Sequence, residues 1–510
     1  MDRKVADVTE ILYEEQGEAL VLGIFLSALM TTATGADLFY TDESENIMSI
    51  KKLPDNVFLE IFDYCRKDHK FHDIPVWRWH ELVHVCQSWR QIIFESPRRL
   101  DLQILCTRGT PVRESLDIWP PFPIAIQYHY GRTFTPSDTD NLFAALAHHS
   151  RIRQVDLYLT GLQLGEVATV MQQPFPALTH LTLQWFKERP PALPSGFLGG
   201  SAPCLQHMHL ERILFPALPV LLLSTSDLVE LTLGRIPPGG YISPESMAIC
   251  LAALPRLKTY FIGSCSVTSH TDRMGPPPVT RFSVPALIDF GFDGDSEYLE
   301  DLVARIDCPR LNVISIGYLN QLHDLQLTQL FKFIDRSEDP EISLIRHVDI
   351  IFSCYSVVFE MYPCPGSSRH WGRVTVSIAC QQIERQASLV AQVFSQPSTM
   401  LSRALHLKLS PDMDNVHCYY DDWLYLLRQF SIIRTLHVSL EFVWPIASTL
   451  KNATGDAVTE VLPVVDLIYL DGQLVSCVEN FLAARLLSGR PVTIVDTQAE
   501  FDERVKSYVE

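Results

Sequence analysis

Between residues 150 and 320 the apolar residues recur at one repeated spacing, i, i+3, i+5. The triplet stands at Ile152/Val155/Leu157, Leu178/Leu181/Leu183, Leu205/Met208/Leu210, Leu228/Leu231/Leu233, Leu257/Tyr260/Ile262, Leu287/Phe290/Phe292 and Leu311/Ile314/Ile316. Its first member advances by 26, 27, 23, 29, 30 and 24 residues. Within each triplet the last two members alternate with polar residues, the pattern of a half-buried strand. Several triplets follow a proline start, as in Phe175-Pro-Ala-Leu178 and Cys308-Pro-Arg-Leu311. Weaker copies continue at Ile345/Val348/Ile350, Ile433/Leu436/Val438 and Leu462/Val465/Leu467, with one of undefined register near Leu405 to Leu409. The longer intervals there, including a Pro/Gly/Ser loop from Tyr362 to Gly372, imply insertions.

A Leu-x-x-Leu-x-Leu opening every 20 to 29 or so residues resembles the leucine-rich repeat. One such unit cannot bury its apolar side until a neighbour stacks on it. The expected fold is therefore α/β (α+β overall): a curved solenoid of irregular repeats over residues 149–475, with a parallel sheet on its concave face. The same triplets also fit ordinary strands of an α/β domain, because βαβ units recur at about 30 residues. No glycine-rich phosphate loop accompanies them.

The chain before the repeats reads differently. Val57 with Ile61 and Phe58 with Phe62 are four apart, which predicts an amphipathic helix opening at Pro54. After a polar, His-rich stretch, Trp79, Leu82, Val83, Cys86, Trp89, Ile92 and Ile93 recur at intervals of three or four, predicting a second helix that ends near Ser96-Pro97. Residues 1–49, closing on the acidic Thr41 to Asn46, read as an extension with a short helix or disorder. Residues 101–148 read as a connecting segment and 476–510 as a cap and tail.

Composition narrows the function classes. The net charge of −19 opposes a role built on phosphate contacts, so no nucleic acid partner is expected. The apolar run Ala19 to Met30 spans twelve residues, short of the ~18 needed to cross a bilayer. It follows Glu14, Glu15 and Glu18, where a secretory signal carries basic residues. Scattered cysteines with no Cys-x-x-Cys pair read as buried free thiols of a reducing compartment. A cytoplasmic or nuclear protein with no membrane partner is the expectation. Neither a Walker-type phosphate loop, nor G-x-S-x-G, nor H-E-x-x-H occurs. No cofactor and no catalytic residue is assigned, and the expectation is that the chain is not an enzyme.

Leu53-Pro54, Ile61-Phe62 and the run Leu82-Val-His-Val-Cys-Gln-Ser-Trp-Arg90 together resemble the F-box family. The match covers about residues 50–130, including a continuation from Ser96 to Ile126 like that of fungal F-box proteins with irregular leucine-rich repeats. The resemblance implies a small helical F-box at 50–100 that docks on the SKP-type adaptor of a cullin–RING (SCF-type) ubiquitin ligase. The repeats would capture a protein substrate for ubiquitin-dependent degradation. By position, Leu53, Pro54, Ile61, Phe62, Val85, Cys86 and Trp89 would form or support the adaptor surface. The alternative it leaves open is a non-catalytic scaffold that binds the adaptor without directing ubiquitination.

In each repeat strand the residues between the apolar members face the concave side. From these the candidate substrate contacts are Tyr158, His180, His207, His209, Glu211, Phe261, Asp289 and Asp293. The histidines fall on adjacent strands, close enough for a pH-sensitive patch or a metal; a solvated polar face is the preferred reading and no metal is assigned.

Overall fold

The computed structural model describes residues 53–67, 82–129, 135–159, 161–185, 192–264, 280–319, 325, 327–363, 372–380, 383–412, 423–452, 457–470 and 478–496. The expected apolar helix at Ala19 to Met30 and Trp79 lie outside them. The chain divides into two compact units, residues 1–106 with 111–125, and residues 107–110 with 126–510.

In the first unit, helix α1 (Asp55–Lys67) and helix α2 (Gln87–Glu95) pack on each other. The Pro54 carbonyl accepts the Val57 N–H at 2.9 Å, opening α1 where proline needs no N–H partner of its own. Four-residue spacing brings Phe58 and Phe62 to one side, where their rings meet Trp89 at 5.5 and 4.9 Å between centroids. Ile92 and Ile93 complete this buried contact, and Arg90 Nε donates to the Val83 carbonyl at 2.9 Å, tying α2 to the turn before it. A further helix, α3 (Val112–Ile118), belongs to the same unit.

The second unit is mixed α/β, dominated by a large, mostly parallel sheet. Strands β1 (Ile104–Thr107) and β2 (Ile124–Tyr128) fall at the division between the units, inside the stretch read as a connection. There follow helix α4 (Pro136–Leu146), β3 (Ile152–Leu159), α5 (Gly161–Val170), β4 (His180–Trp185), β5 (His207–Glu211), α6 (Leu218–Leu222) and β6 (Glu230–Ile236). Next come α7 (Pro244–Ala252), β7 (Thr259–Ser264), β8 (Phe282–Ser283), β9 (Asp289–Gly294), α8 (Ser296–Arg305), β10 (Ile306–Asp307) and β11 (Val313–Tyr318). Every expected triplet from Ile152 to Ile316 ends in one of these strands, and β3-β4-β5-β6-β7-β9-β11 pair in parallel in that order.

The triplet has a local cause. Its first member sits in a turn and donates its N–H to the carbonyl three residues earlier: Leu178 to Phe175, Leu205 to Ala202, Leu228 to Thr225, Leu257 to Leu254 and Leu311 to Cys308. The residue after it then bonds to the matching turn of the preceding strand, as Thr179 does to Arg153 at 2.8 Å. Along the strand, the second and third members are buried while their neighbours are only partly covered. Helices cover one face: α7, α8 and α9 (Thr328–Asp335) pack in succession. The other face keeps its side chains partly open to solvent.

After β11 the order departs from the expectation of simple repetition. Following α10 (Pro340–Ser343), strands β12 (His347–Phe352), β13 (Ser356–Tyr362) and β14 (Arg373–Ala379) enter the sheet in reverse, giving β11-β14-β13-β12-β15. β13 is antiparallel to both neighbours, so Ile350 packs beside Phe359 rather than beside the β11 triplet. The insertion is this pair of extra strands. The parallel order resumes with α11 (Ile383–Ser395), β15 (His406–Pro411), α12 (Trp423–Gln429), β16 (Thr435–Val438), α13 (Leu440–Asn452), α14 (Ala457–Glu460), β17 (Leu467–Leu470), α15 (Glu479–Leu487) and β18 (Thr493–Asp496).

Two registers are corrected. Leu407 aligns with Val348, so the undefined copy is Ala404/Leu407/Leu409. Ile468 aligns with Leu436, so the copy placed at Leu462/Val465/Leu467 is Val465/Ile468/Leu470. The turn agrees, for Val465 donates to the Leu462 carbonyl at 3.1 Å as other first members do. The thiol expectation also needs amending: of the cysteines described, Cys106, Cys250, Cys308 and Cys380 are buried, but Cys86, Cys204 and Cys354 are exposed, and none of these seven is in a disulfide. No helix among the described residues is long and apolar enough to cross a membrane.

Candidate functional site

The residues expected at an adaptor surface separate by burial. Phe62 is 2% exposed and Trp89 5%, because both are packed ring against ring between the helices. Their side chains belong to the interior of the helix pair rather than to its open surface. Leu53, Ile61 and Val85 are half-buried, while Pro54 and Cys86 are exposed and free to be touched.

The candidate substrate contacts all lie on the less covered face of the second unit's sheet, in rows set by strand register. One row runs Gln154, His180, His207, Glu230, Thr259, Asp289 and Val313. The next runs Asp156, Thr182, His209, Thr232, Phe261, Gly291 and Ser315. Direct cross-strand neighbours are close enough to interact. His180 and His207 stack at 4.3 Å with their planes 13° apart, and His207 Nδ1 lies 3.1 Å from Glu230 Oε2. Gln184 Nε2 donates to the Tyr158 hydroxyl at 3.1 Å and lies 3.4 Å from His209 Nε2.

His129, which the repeat pattern did not reach, stacks on Tyr158 at 4.3 Å and approaches Asp156 at 3.2 Å. Burial raises the Asp156 pKa against the opposing pull of His129 and His209. Stacked parallel rings do not converge their nitrogens on one point. Among the described residues no group of three or more His, Cys, Asp or Glu side chains could hold a metal ion.

Toward β9 and β11 the face is floored by glycine. A Cβ at Gly234 would meet the Glu211 carboxylate, one at Gly291 would come within 2.5 Å of Phe261 Cδ2, and one at Gly317 would strike the Asp293 carboxylate. Large side chains thus lie across bare backbone of the adjacent strand. Arg235, at the bulge where β6 shifts register against β7, pairs with Glu211 at 3.3 Å. Asp289 and Asp293 have raised pKa values, in both cases chiefly from burial, with Glu230 adding to the shift of Asp289.

A second polar cluster spans the insertion and the strands beside it. His347 stacks between Tyr362 at 5.5 Å and His406 at 4.4 Å, and the Tyr362 hydroxyl donates to Asp349 Oδ1 at 2.9 Å. Arg373 pairs with Glu360 on the same face. The contacts expected from the sequence end at Asp293, and β13 and β14 enter the sheet out of order. The available signal was the alternation in Arg373-Val-Thr-Val-Ser-Ile378 and His406-Leu-Lys-Leu-Ser410.

A small cavity lined by Leu210, Ile213, Phe215, Leu218, Leu233, Ile236 and Gly240 holds about 10 Å³. It lies on the covered side of β5 and β6 and has no titratable lining. The chain matches no family model and no curated protein.

Proposed function

We propose that this protein is a substrate receptor of an SCF-type ubiquitin ligase: an F-box that binds an SKP-type adaptor, joined to irregular leucine-rich repeats that capture a protein. The observation that carries the reading is the sheet of the second unit. Its strands β3, β4, β5, β6, β7, β9 and β11 add in chain order, all parallel, with helices on one face and a row-ordered polar face left open. Doubly wound α/β sheets instead bury both faces and reverse strand order at their ligand crevice. Repeat arrays offer an extended open face of this kind to macromolecules. The paired helices α1 and α2 support the other half of the reading through the F-box-like residues they carry. They pack around Trp89 and leave Pro54 and Cys86 outside.

The test is co-purification with an SKP-type adaptor. The intact protein is expected to retain it, and a Pro54→Asp/Cys86→Arg variant to lose it while its circular dichroism is unchanged. A folded intact protein that retains no adaptor overturns the reading. In a reconstituted ligase, ubiquitin transfer to the captured protein separates a receptor from a scaffold that only binds. A receptor of this class works in the cytoplasm or nucleus.

A further inference from the structure

Along β3, β4, β5, β6, β7, β9 and β11 the open face carries Asp156, Glu211, Glu230, Asp289 and Asp293, with Arg235, at the β6 bulge, set against Glu211. Two of the five differ from the rest. Glu211 pairs with Arg235, Glu230 with His207, and Asp156 with His129. Asp289 and Asp293 have no hydrogen bond or ion pair among the described residues, although both are half-buried. A carboxylate withdrawn from water without a partner is destabilising, and a cation brought to it offsets that cost.

Between these two positions of the strand lies an aromatic shelf. Asp289, Gly291 and Asp293 project from β9 on the same side, so at about 3.3 Å per residue the two Asp residues stand roughly 7 Å to either side of Gly291 along the strand, with the Asp293 carboxylate leaning over Gly317 of β11. The Phe261 ring reaches over from β7 into the space above Gly291, and its opposite edge meets the Cβ position of Gly263 at 3.3 Å. Neither glycine has a positive φ; they are needed because any side chain would displace the ring. An aromatic face with carboxylates at both ends suits a Lys or Arg head group, which gains ring quadrupole and charge attraction together.

We infer that this part of the open face docks a partner segment bearing lysine or arginine, with the cation over Phe261 between Asp289 and Asp293. The inference rests on the reading of the open face as the capture surface and supplies the chemistry of what it captures: a basic segment, complementary to a face whose described rows carry five carboxylates, of which Glu211 is already paired with Arg235.

The experiment uses the full chain without adaptor and follows anisotropy of a labelled Gly/Ser peptide carrying several arginines, against the same peptide with glutamines. The arginine peptide is expected to bind and to weaken as salt rises. Phe261→Leu, which keeps apolar bulk but removes the ring, and Asp289→Asn/Asp293→Asn are each expected to weaken it about tenfold. Asp227→Asn, an exposed carboxylate paired with Arg256 at 3.0 Å outside these rows, is expected to leave it unchanged. Thermal melts confirm that each variant is folded. Equal binding of the two peptides, or unchanged binding by both the Phe261 variant and the Asp variant, overturns the inference. Adaptor co-purification is scored separately, so failure of the basic-segment inference leaves the F-box reading standing, and the reverse.

Discussion

Phe261 Cδ2 lies 2.5 Å from the point where a Cβ at Gly291 would stand, so the ring on β7 occupies the side-chain space of its neighbour on β9. Gly291→Ala therefore forces the ring upward. Because Phe261 is half-exposed and can rotate away, the expected loss is about 1 kcal/mol, the low end for overpacking. Arginine-peptide binding is expected to fall with it. Denaturation midpoints check the first outcome, and a loss above about 3 kcal/mol would show that the ring cannot move.

Asp138 is a buried carboxylate held by several donors. It caps α4 through Thr135, whose hydroxyl and backbone N–H donate at 2.7 and 3.0 Å, and it takes Arg108 Nε at 3.2 Å and the Gly109 N–H at 3.0 Å. Burial alone would raise its pKa, but Thr135, Arg108 and Gly109 outweigh this and leave it lowered. A lowered folded pKa means stability that is present above the unfolded value near ~3.9 and lost as pH falls through the folded one. Asp138→Ala should cost about 2–4 kcal/mol at pH 7, from a lost cap and a lost charge-assisted bond. Its cost should shrink in acid; a pH-independent loss in urea titrations would contradict this account.

Glu300 on α8 has the opposite sign. It is 3% exposed and accepts the Gln329 and Leu330 N–H groups at 2.7 and 2.9 Å, satisfying the start of α9 from the neighbouring helix. Burial outweighs those bonds and raises its pKa. Its ionisation therefore weakens the fold as pH rises from the unfolded value near ~4.3 through the folded one. Glu300→Ala, which orphans two buried donors, is expected to cost about 2–3 kcal/mol, and Glu300→Gln distinctly less. Equal losses for the two would show that the acceptor does not matter.

His347 should remain neutral well below neutrality. Burial, with His406 stacked beside it, holds its imidazole down to about 4. Below the unfolded value near ~6.5 the unfolded chain takes up the proton first, so the His347 contribution is present above that pH and is lost progressively down to about 4. Amide protection factors in β12 and β15, which remove the intrinsic pH dependence of exchange, should fall between pH 7 and 5, and less so in His347→Gln. An imidazole signal of His347 titrating near pH 6.5 would contradict it.

Trp89 separates two roles that sequence position merges. Packed against Phe58 and Phe62, it is expected to cost about 3–5 kcal/mol as Trp89→Ala and to melt the α1–α2 pair. Loss of a partner in that variant would follow from unfolding, whereas loss in Cys86→Arg with intact dichroism would report a surface contact. Helical dichroism alongside binding distinguishes them.

Local alternation was enough to locate the strands from Ile152 to Ile316, because a triplet such as Leu181/Leu183 behind Leu178 specifies both a turn and a buried side within a few residues. The partly open face followed from the same alternation, so Tyr158, His180, His207, Phe261 and Asp289 could be assigned to it from the chain alone. What tertiary structure decided was adjacency across strands. That β12 joins β15 while β14 joins β11 depends on backbone pairing between segments far apart in sequence, and His347 and Phe359 alternate as any strand would. Equally, no local pattern states that Phe261 lies over Gly291, or that among the described residues Asp289 and Asp293 lack partners while Glu211 has Arg235. Those relations arise only when parallel register sets one strand's side chains beside the next strand's bare glycines.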